Sequence, residues 1–257
     1  MRRALLPVVL WLASCAREPR LQGVVLDIWD NPVAGATVVM DDLPERPLTD
    51  RNGKFDLPYL PGKHKIKAGH QAYVQEHQEV EVPPDPATSE KILFHLYKKP
   101  ERAGFYVVST ADYVQLEPQH VVQKGGDVEL VRGMERIGDS FVEGSKLKVL
   151  FHTPLKTDQV HRLGLRLHKL SYVDSIDMTG PTEVEKVPVR LYVSDVEVPI
   201  QVTPLRSRHD YLIEAKDALP AGEYALDHQD LLAGKDREAF QEIPEPVRKA
   251  YPITVRQ

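Results

Sequence analysis

Short alternating runs of apolar and polar residues dominate the chain, and few segments keep a helical period for long. In GKHKIKAG, residues 62–69, Ile66 and Ala68 alternate with Lys65 and Lys67. A period of two is typical of a β-strand with one buried and one solvated face. Such runs are separated by turn residues, as in DRNG at 50–53. The pattern predicts an all-β chain with many short strands.

The 257 residues suffice for one large or two ordinary domains. We assign residues 21–100 to a first β-sandwich and residues 101–257 to a second β-sandwich-like domain. The run HRLGLRLHKLSYV, 161–173, is predicted as a strand that places Arg166 and His168 on one face. One short helical stretch is expected in DREAFQEIPEPVRKAY, 236–251, where prolines interrupt it.

The first residues have the composition of an export signal. Met1-Arg2-Arg3 is basic, and the apolar run ALLPVVLWLA at 4–13 is about half of the roughly 20 residues that span a bilayer. A basic start, a short apolar run and small residues indicate a secretory signal. LASC, residues 12–15, resembles the lipobox of bacterial lipoproteins. The alternatives are a signal peptide with an incidental cysteine and a buried N-terminal helix.

The lipobox resemblance implies cleavage before Cys15, so that residues 1–14 are a signal peptide and residues 15–20 a lipidated tether. Acyl chains on Cys15 would hold the protein on a membrane without spanning it, since two acyl signals anchor stably. The family's inner-membrane signal is an aspartate where this chain has Ala16. The resemblance therefore implies an exported protein of the outer rather than the inner membrane. The chain has no second cysteine, as in exported lipoproteins without disulfides.

Several motifs of the first domain occur in a recognisable order. They are Gly23, NPVAGATV at 31–38, TDRNGKFDLPYLPG at 49–62 and Tyr73. In this order they resemble the carboxypeptidase regulatory-like domain. The resemblance implies an Ig- or transthyretin-like β-sandwich without catalysis of its own, of a kind that serves as an accessory, stalk or interaction module on exported proteins.

Catalytic and metal chemistry have little support in the sequence. Gly138-Asp139-Ser140 resembles the nucleophile block of GDSL/SGNH esterases, and Asp158 and His161 resemble their acid and base. The family's oxyanion asparagine is missing, because the only asparagines lie in the first domain. We therefore interpret Ser140 as part of a polar turn and expect no enzyme. Histidines show no compact ligand spacing, so we expect no metal and no cofactor.

The sequence also bears on the kinds of partner that the protein has. A net charge of −5 gives no electrostatic case for nucleic acid. Trp29 is the candidate ligand contact: its ring either packs over the end of the sandwich, which we favour, or anchors a partner or glycan. We expect a non-catalytic envelope protein that binds or scaffolds other envelope proteins. The alternative is a glycan or small-ligand binding lipoprotein, and a serine esterase comes third.

Overall fold

The computed structural model describes residues 18–41, 43–125, 130–179 and 184–256. These residues lie mostly in strands, which confirms the predicted all-β class. Contacts divide the chain into two units. The first comprises the residues through Asp27, Asn31–His70 and Glu76–His95, and the second comprises Ile28–Asp30, Gln71–Gln75 and the chain from Leu96 onward.

Two three-stranded sheets build the first unit. They contain β1 (Arg20–Asp27), β2 (Thr37–Met40), β3 (Lys54–Pro58), β4 (Gly62–Gly69), β5 (Glu76–Val82) and β6 (Ile92–Leu96), with a 3₁₀ turn at Pro86–Thr88. The strand orders are β3–β1–β6 and β2–β4–β5. Ile66 and Ala68 of β4 are fully buried, whereas Lys65 and Lys67 are half-exposed. The predicted alternation in this strand is therefore confirmed.

The predicted turn at residues 50–53 is also confirmed. Oδ1 of Asp50 accepts hydrogen bonds from the backbone N–H groups of Asn52 and Lys54, both at 2.8 Å. The bond from Lys54 is the main reason that the pKa of Asp50 lies below its usual value. Gly53 has a φ of +72°, a conformation that glycine adopts without strain.

The second unit contains twelve of the described strands, in two sheets. They are β7 (Gly104–Val108), β8 (Tyr113–Gln115), β9 (Gln119–Gly125), β10 (Leu130–Met134), β11 (Phe141–Glu143), β12 (Lys148–His152), β13 (Arg166–Thr179), β14 (Val184–Val198), β15 (Ile200–Pro204), β16 (Asp210–Ala215), β17 (Gly222–Asp227) and β18 (Lys249–Arg256). One sheet has the order β15–β16–β12–β7–β8, and the other has the order β11–β18–β17–β13–β14–β10–β9.

The larger sheet closes on itself, because β9 also pairs with β18. Six strands thus form a ring, and β11 is attached to β18 in parallel. An apolar cluster contains a side chain from each of the six ring strands, which places it inside the ring: Val121, Met134, Leu170, Tyr192, Ala225 and Ala250. The opposite face of the ring packs on the five-stranded sheet through residues such as Leu167, Tyr224 and Phe151.

The segment between β17 and β18 contributes Leu231, Leu232 and Phe240 to the apolar cluster inside the ring. It contains helix α2 (Arg237–Glu242) and a 3₁₀ turn at Glu245–Val247. Asp236 caps α2 by accepting from the N–H of Ala239 at 3.1 Å. The predicted helical stretch is thus confirmed, although the strand after it begins at Lys249.

A second helix, α1 (Thr157–Arg162), precedes β13 and corrects the prediction of a strand from residue 161. Asp158 and Arg162 form an ion pair at 2.6 Å, four residues apart on the helix surface. Gly164, with a φ of +57°, follows the helix and lets the chain turn into β13. The alternating leucines are therefore split between the end of a helix and the start of a strand.

Candidate functional site

The outer part of the β13–β14 hairpin is a candidate binding surface, because it extends beyond the sheet. β13 pairs with β17 only over Arg166–Lys169, and β14 pairs with β10 only at Tyr192 and Val193. From Ser171 to Thr179 and from Val184 to Leu191, the two strands pair only with each other among the described residues. We call this segment the ribbon.

The two edges of the ribbon differ in chemistry. The β14 edge carries Pro188 and Lys186, and Arg190 has a φ of +50° at an irregularity in the register. The Lys124 ammonium donates to the Val189 carbonyl of this edge at 3.0 Å. Proline, lysine and bulges are the features that keep a sheet edge from pairing with another chain. Between Ser171 and Thr179 the β13 edge has no proline or lysine, although it carries Asp174 and Asp177.

Apolar side chains remain exposed along the ribbon. Tyr172 is 53% exposed and Val184 is 63% exposed. Tyr172 packs on Tyr192 across the strands, with ring centroids 5.1 Å apart. Ile176 and Val187 face each other across the strands and are half-buried. A two-stranded hairpin is marginally stable in water, so contact with a partner would stabilise the ribbon.

The charges of the ribbon are mixed. Asp174, Asp177 and Glu185 are balanced in part by Lys186 and Arg190. Arg190 lies 3.6 Å from Asp174, and both side chains are more than 70% exposed. A partner would therefore be held by backbone pairing and apolar contact rather than by net charge.

Cys15, the predicted lipidation site, lies outside the described residues. Trp29 belongs to the second unit and is half-buried. Its indole N–H donates to the Ser109 carbonyl at 2.9 Å, and its ring meets Tyr113 edge to face at 4.9 Å. The role of Trp29 as a ligand contact stays a prediction.

Ser140 does not meet the acid and base that its motif suggested. It is 8% exposed, and its carbonyl accepts from the Thr254 N–H at 2.9 Å. Asp158 is engaged by Arg162, whose hydrogen bond and charge hold its pKa below the usual value. Among the described residues, no hydrogen bond joins Ser140 to His161.

A different serine, histidine and aspartate meet inside the ring. Ser194 Oγ lies 2.9 Å from His168 Nδ1, and His168 Nε2 lies 3.3 Å from Asp227 Oδ1. Asp227 Oδ2 accepts from the Leu232 N–H at 2.8 Å. The His168 and Asp227 side chains are completely buried, which gives substrate no path to the histidine. We interpret them as a structural link between three ring strands and the segment over them.

The sequence correctly paired His168 with Arg166 on one face of β13. It did not show that this face points into a ring, because the ring depends on pairing between β9 and β18. Strand alternation alone cannot distinguish an exposed polar face from one that a closed sheet buries.

No protein-family model matches the chain, and no curated protein matches it either. In the described ranges, no helix is long and apolar enough to cross a membrane. The same ranges contain no group of three His, Cys, Asp or Glu side chains placed to hold a metal ion.

Proposed function

We propose that the chain is a non-catalytic, lipid-anchored protein of the bacterial cell envelope that binds other envelope proteins through the ribbon. The free β13 edge is the observation that supports binding. Prolines and lysines commonly keep exposed edges from pairing, and the β14 edge has Pro188 and Lys186 whereas β13 has neither residue type between Ser171 and Thr179. The lipobox resemblance at residues 12–15 supports the anchor.

We infer that the partner adds an extended segment to β13. In strand addition, main-chain hydrogen bonds supply affinity and alternate side chains supply specificity. Tyr172, half-exposed on this strand, offers the large apolar contact that dominates protein interfaces. The absence of a strong net charge on the ribbon agrees with recognition by shape and backbone.

Tyr172→Lys tests this inference, since a lysine on an edge strand opposes pairing with another chain. Val196→Lys is the matched control: Val196 is also 53% exposed and lies on β14, nearer the ring. Each variant would carry an epitope tag after Gln257 and be crosslinked in intact cells. We expect one recurrent envelope protein with the wild type and Val196→Lys, and its loss with Tyr172→Lys. Equal capture by all three proteins would refute binding at the ribbon.

The anchor is tested separately. Cys15→Ser removes the thiol that the acyl chain requires, so the variant should leave the membrane fraction after a salt wash. Ala16→Ser keeps the cysteine and serves as the control, which should stay with the membranes. A Cys15→Ser protein that remains bound after the wash would contradict the lipid anchor.

A further inference from the structure

Two guanidinium groups pack against the side chain of Phe240, next to the six strands that form the closed sheet. The Cζ atoms of Arg132 and Arg248 lie 4.6 and 4.7 Å from the centroid of Phe240. Phe240 belongs to α2 and is 3% exposed, and Arg132 of β10 is 6% exposed. Cation–π contacts of this kind hold the two charges close to each other and to α2.

Neither guanidinium forms an ion pair within 4.0 Å in the described part of the chain, although Asp236 and Asp230 act on the charge of Arg132. Arg132 donates to the Asp236 carbonyl, and Arg248 donates to the carbonyls of Ile243 and Gln241 at 2.7 and 2.9 Å. Among the described residues, no carboxylate oxygen lies within 4.0 Å of either group. Burial is the main cause of the lowered pKa of Arg132, and the nearby charges of Asp236 and Asp230 oppose it. Arg132 is buried, whereas Arg248 is half-exposed.

Buried polar atoms beside Arg132 also lack partners. Gln123 lies opposite Arg132 in the pairing of β9 with β10. Its Oε1 atom and the Nε atom of Arg132 are buried and have no hydrogen-bond partner in the described part of the chain. Unpaired buried donors and acceptors are rare in native proteins. The Nε donor of Arg132 suits an anion, whereas the Oε1 acceptor of Gln123 suits a water or another donor.

A cavity of about 310 Å³ lies between β9 and α2. Its wall includes His120, Gln123, Lys124, Arg237, Phe240 and Arg248, together with the acidic Glu245. Lys124 is paired with Glu135 at 2.7 Å, whereas the polar contacts of the Arg248 guanidinium among the described residues are the carbonyls of Ile243 and Gln241. The volume is at the lower end of the range for small-molecule sites, roughly 300–1,000 Å³.

We propose that this cavity binds a small oxyanion, a carboxylate or phosphate group, against Arg248 and the Phe240–Arg132 pair behind it. A guanidinium carries five N–H donors, and the carbonyls of Ile243 and Gln241 use two of those of Arg248. The remaining donors suit an oxyanion, which guanidinium groups bind in a two-pronged geometry. This site is separate from the ribbon, so it goes beyond the proposed partner binding.

Calorimetric titration of the full-length protein with inorganic phosphate, and separately with acetate, tests the proposal at fixed ionic strength set with chloride. We expect saturable binding of one anion per chain, and the comparison identifies which oxyanion class fits. Arg248→Gln should weaken binding roughly tenfold or more, because it removes charge-assisted hydrogen bonds. Arg190→Gln, at an arginine 73% exposed on the ribbon, should leave the affinity unchanged.

Hydrogen exchange of the wild type provides a second readout that does not depend on the folding of a variant. Phosphate or acetate should slow amide exchange in α2 and β9 relative to chloride at the same ionic strength. Absence of both heat and protection with either anion would overturn the proposal. Equal weakening by Arg190→Gln and Arg248→Gln would also overturn it, because it would reduce the effect to general charge attraction.

Discussion

Asp227→Ala should be among the most destabilising single changes in the second unit. The carboxylate is completely buried; Oδ2 accepts from the Leu232 N–H at 2.8 Å, and Oδ1 faces His168 Nε2 at 3.3 Å. Alanine leaves the buried Leu232 N–H without its acceptor and removes the carboxylate that faces His168 Nε2. Each unsatisfied group costs about 1–3 kcal/mol, and breaking a buried pair costs about 3–5 kcal/mol. We expect the free energy of unfolding to fall by about 3–5 kcal/mol.

Urea unfolding followed by the fluorescence of Trp29 measures this loss, since Trp29 lies in the second unit. Asp174→Ala is the control, because it removes an ion pair whose side chains are more than 70% exposed. Exposed pairs contribute little, so the control should lose under about 1 kcal/mol. The double change of His168 and Asp227 to leucine should recover part of the loss, since apolar residues can replace a buried pair. A loss under about 1 kcal/mol for Asp227→Ala would refute our interpretation of this link.

Two further predictions concern the packing of the second unit. Gly133→Ala places a Cβ 2.3 Å from the Tyr192 carbonyl oxygen where β10 meets β14, so it should cost at least about 2 kcal/mol in urea unfolding. Gly138→Ala, whose nearest contact is 3.9 Å away, should cost under about 0.5 kcal/mol, and equal losses would contradict the close approach of the strands. Burial raises the pKa of Tyr224 and of Tyr251 above 10.0, so the folded protein holds these protons more tightly than the unfolded chain. Their contribution to stability should be complete below pH 10.0 and fall as the pH rises through the raised values; stability that stays constant from about pH 9 to 11 would count against it.

Local patterns in the sequence were sufficient to predict many of the strands. They were not sufficient to predict which distant strands pair with each other. The alternation around Ile66 correctly predicted a strand, and the prolines after α2 correctly predicted where the helical stretch is interrupted. The strand prediction was wrong at α1, where an ion pair four residues apart and a glycine with positive φ favour a helical turn. Ring closure joins Gln119 to Ala250, residues far apart in the chain, and no local pattern encodes such a pairing.

The candidate binding surface was predictable only in part. Alternation predicted a strand over residues 161–173, whereas the lack of further neighbours is a property of strand order. The contrast between Pro188 on β14 and the absence of proline and lysine in the free part of β13 becomes informative only once both edges are known to be free. Arg132 gave no sequence signal, because its burial follows from ring closure.

Site-specific photocrosslinking in intact cells tests the central proposal most directly. A photoreactive residue at Tyr172 lies on the ribbon, and the same residue at Val196 provides a matched position of equal exposure, 53% for both. We predict a covalent adduct with one envelope protein from position 172 and none from position 196. Adducts of equal yield from both positions, or none from position 172, would contradict binding through the β13 edge.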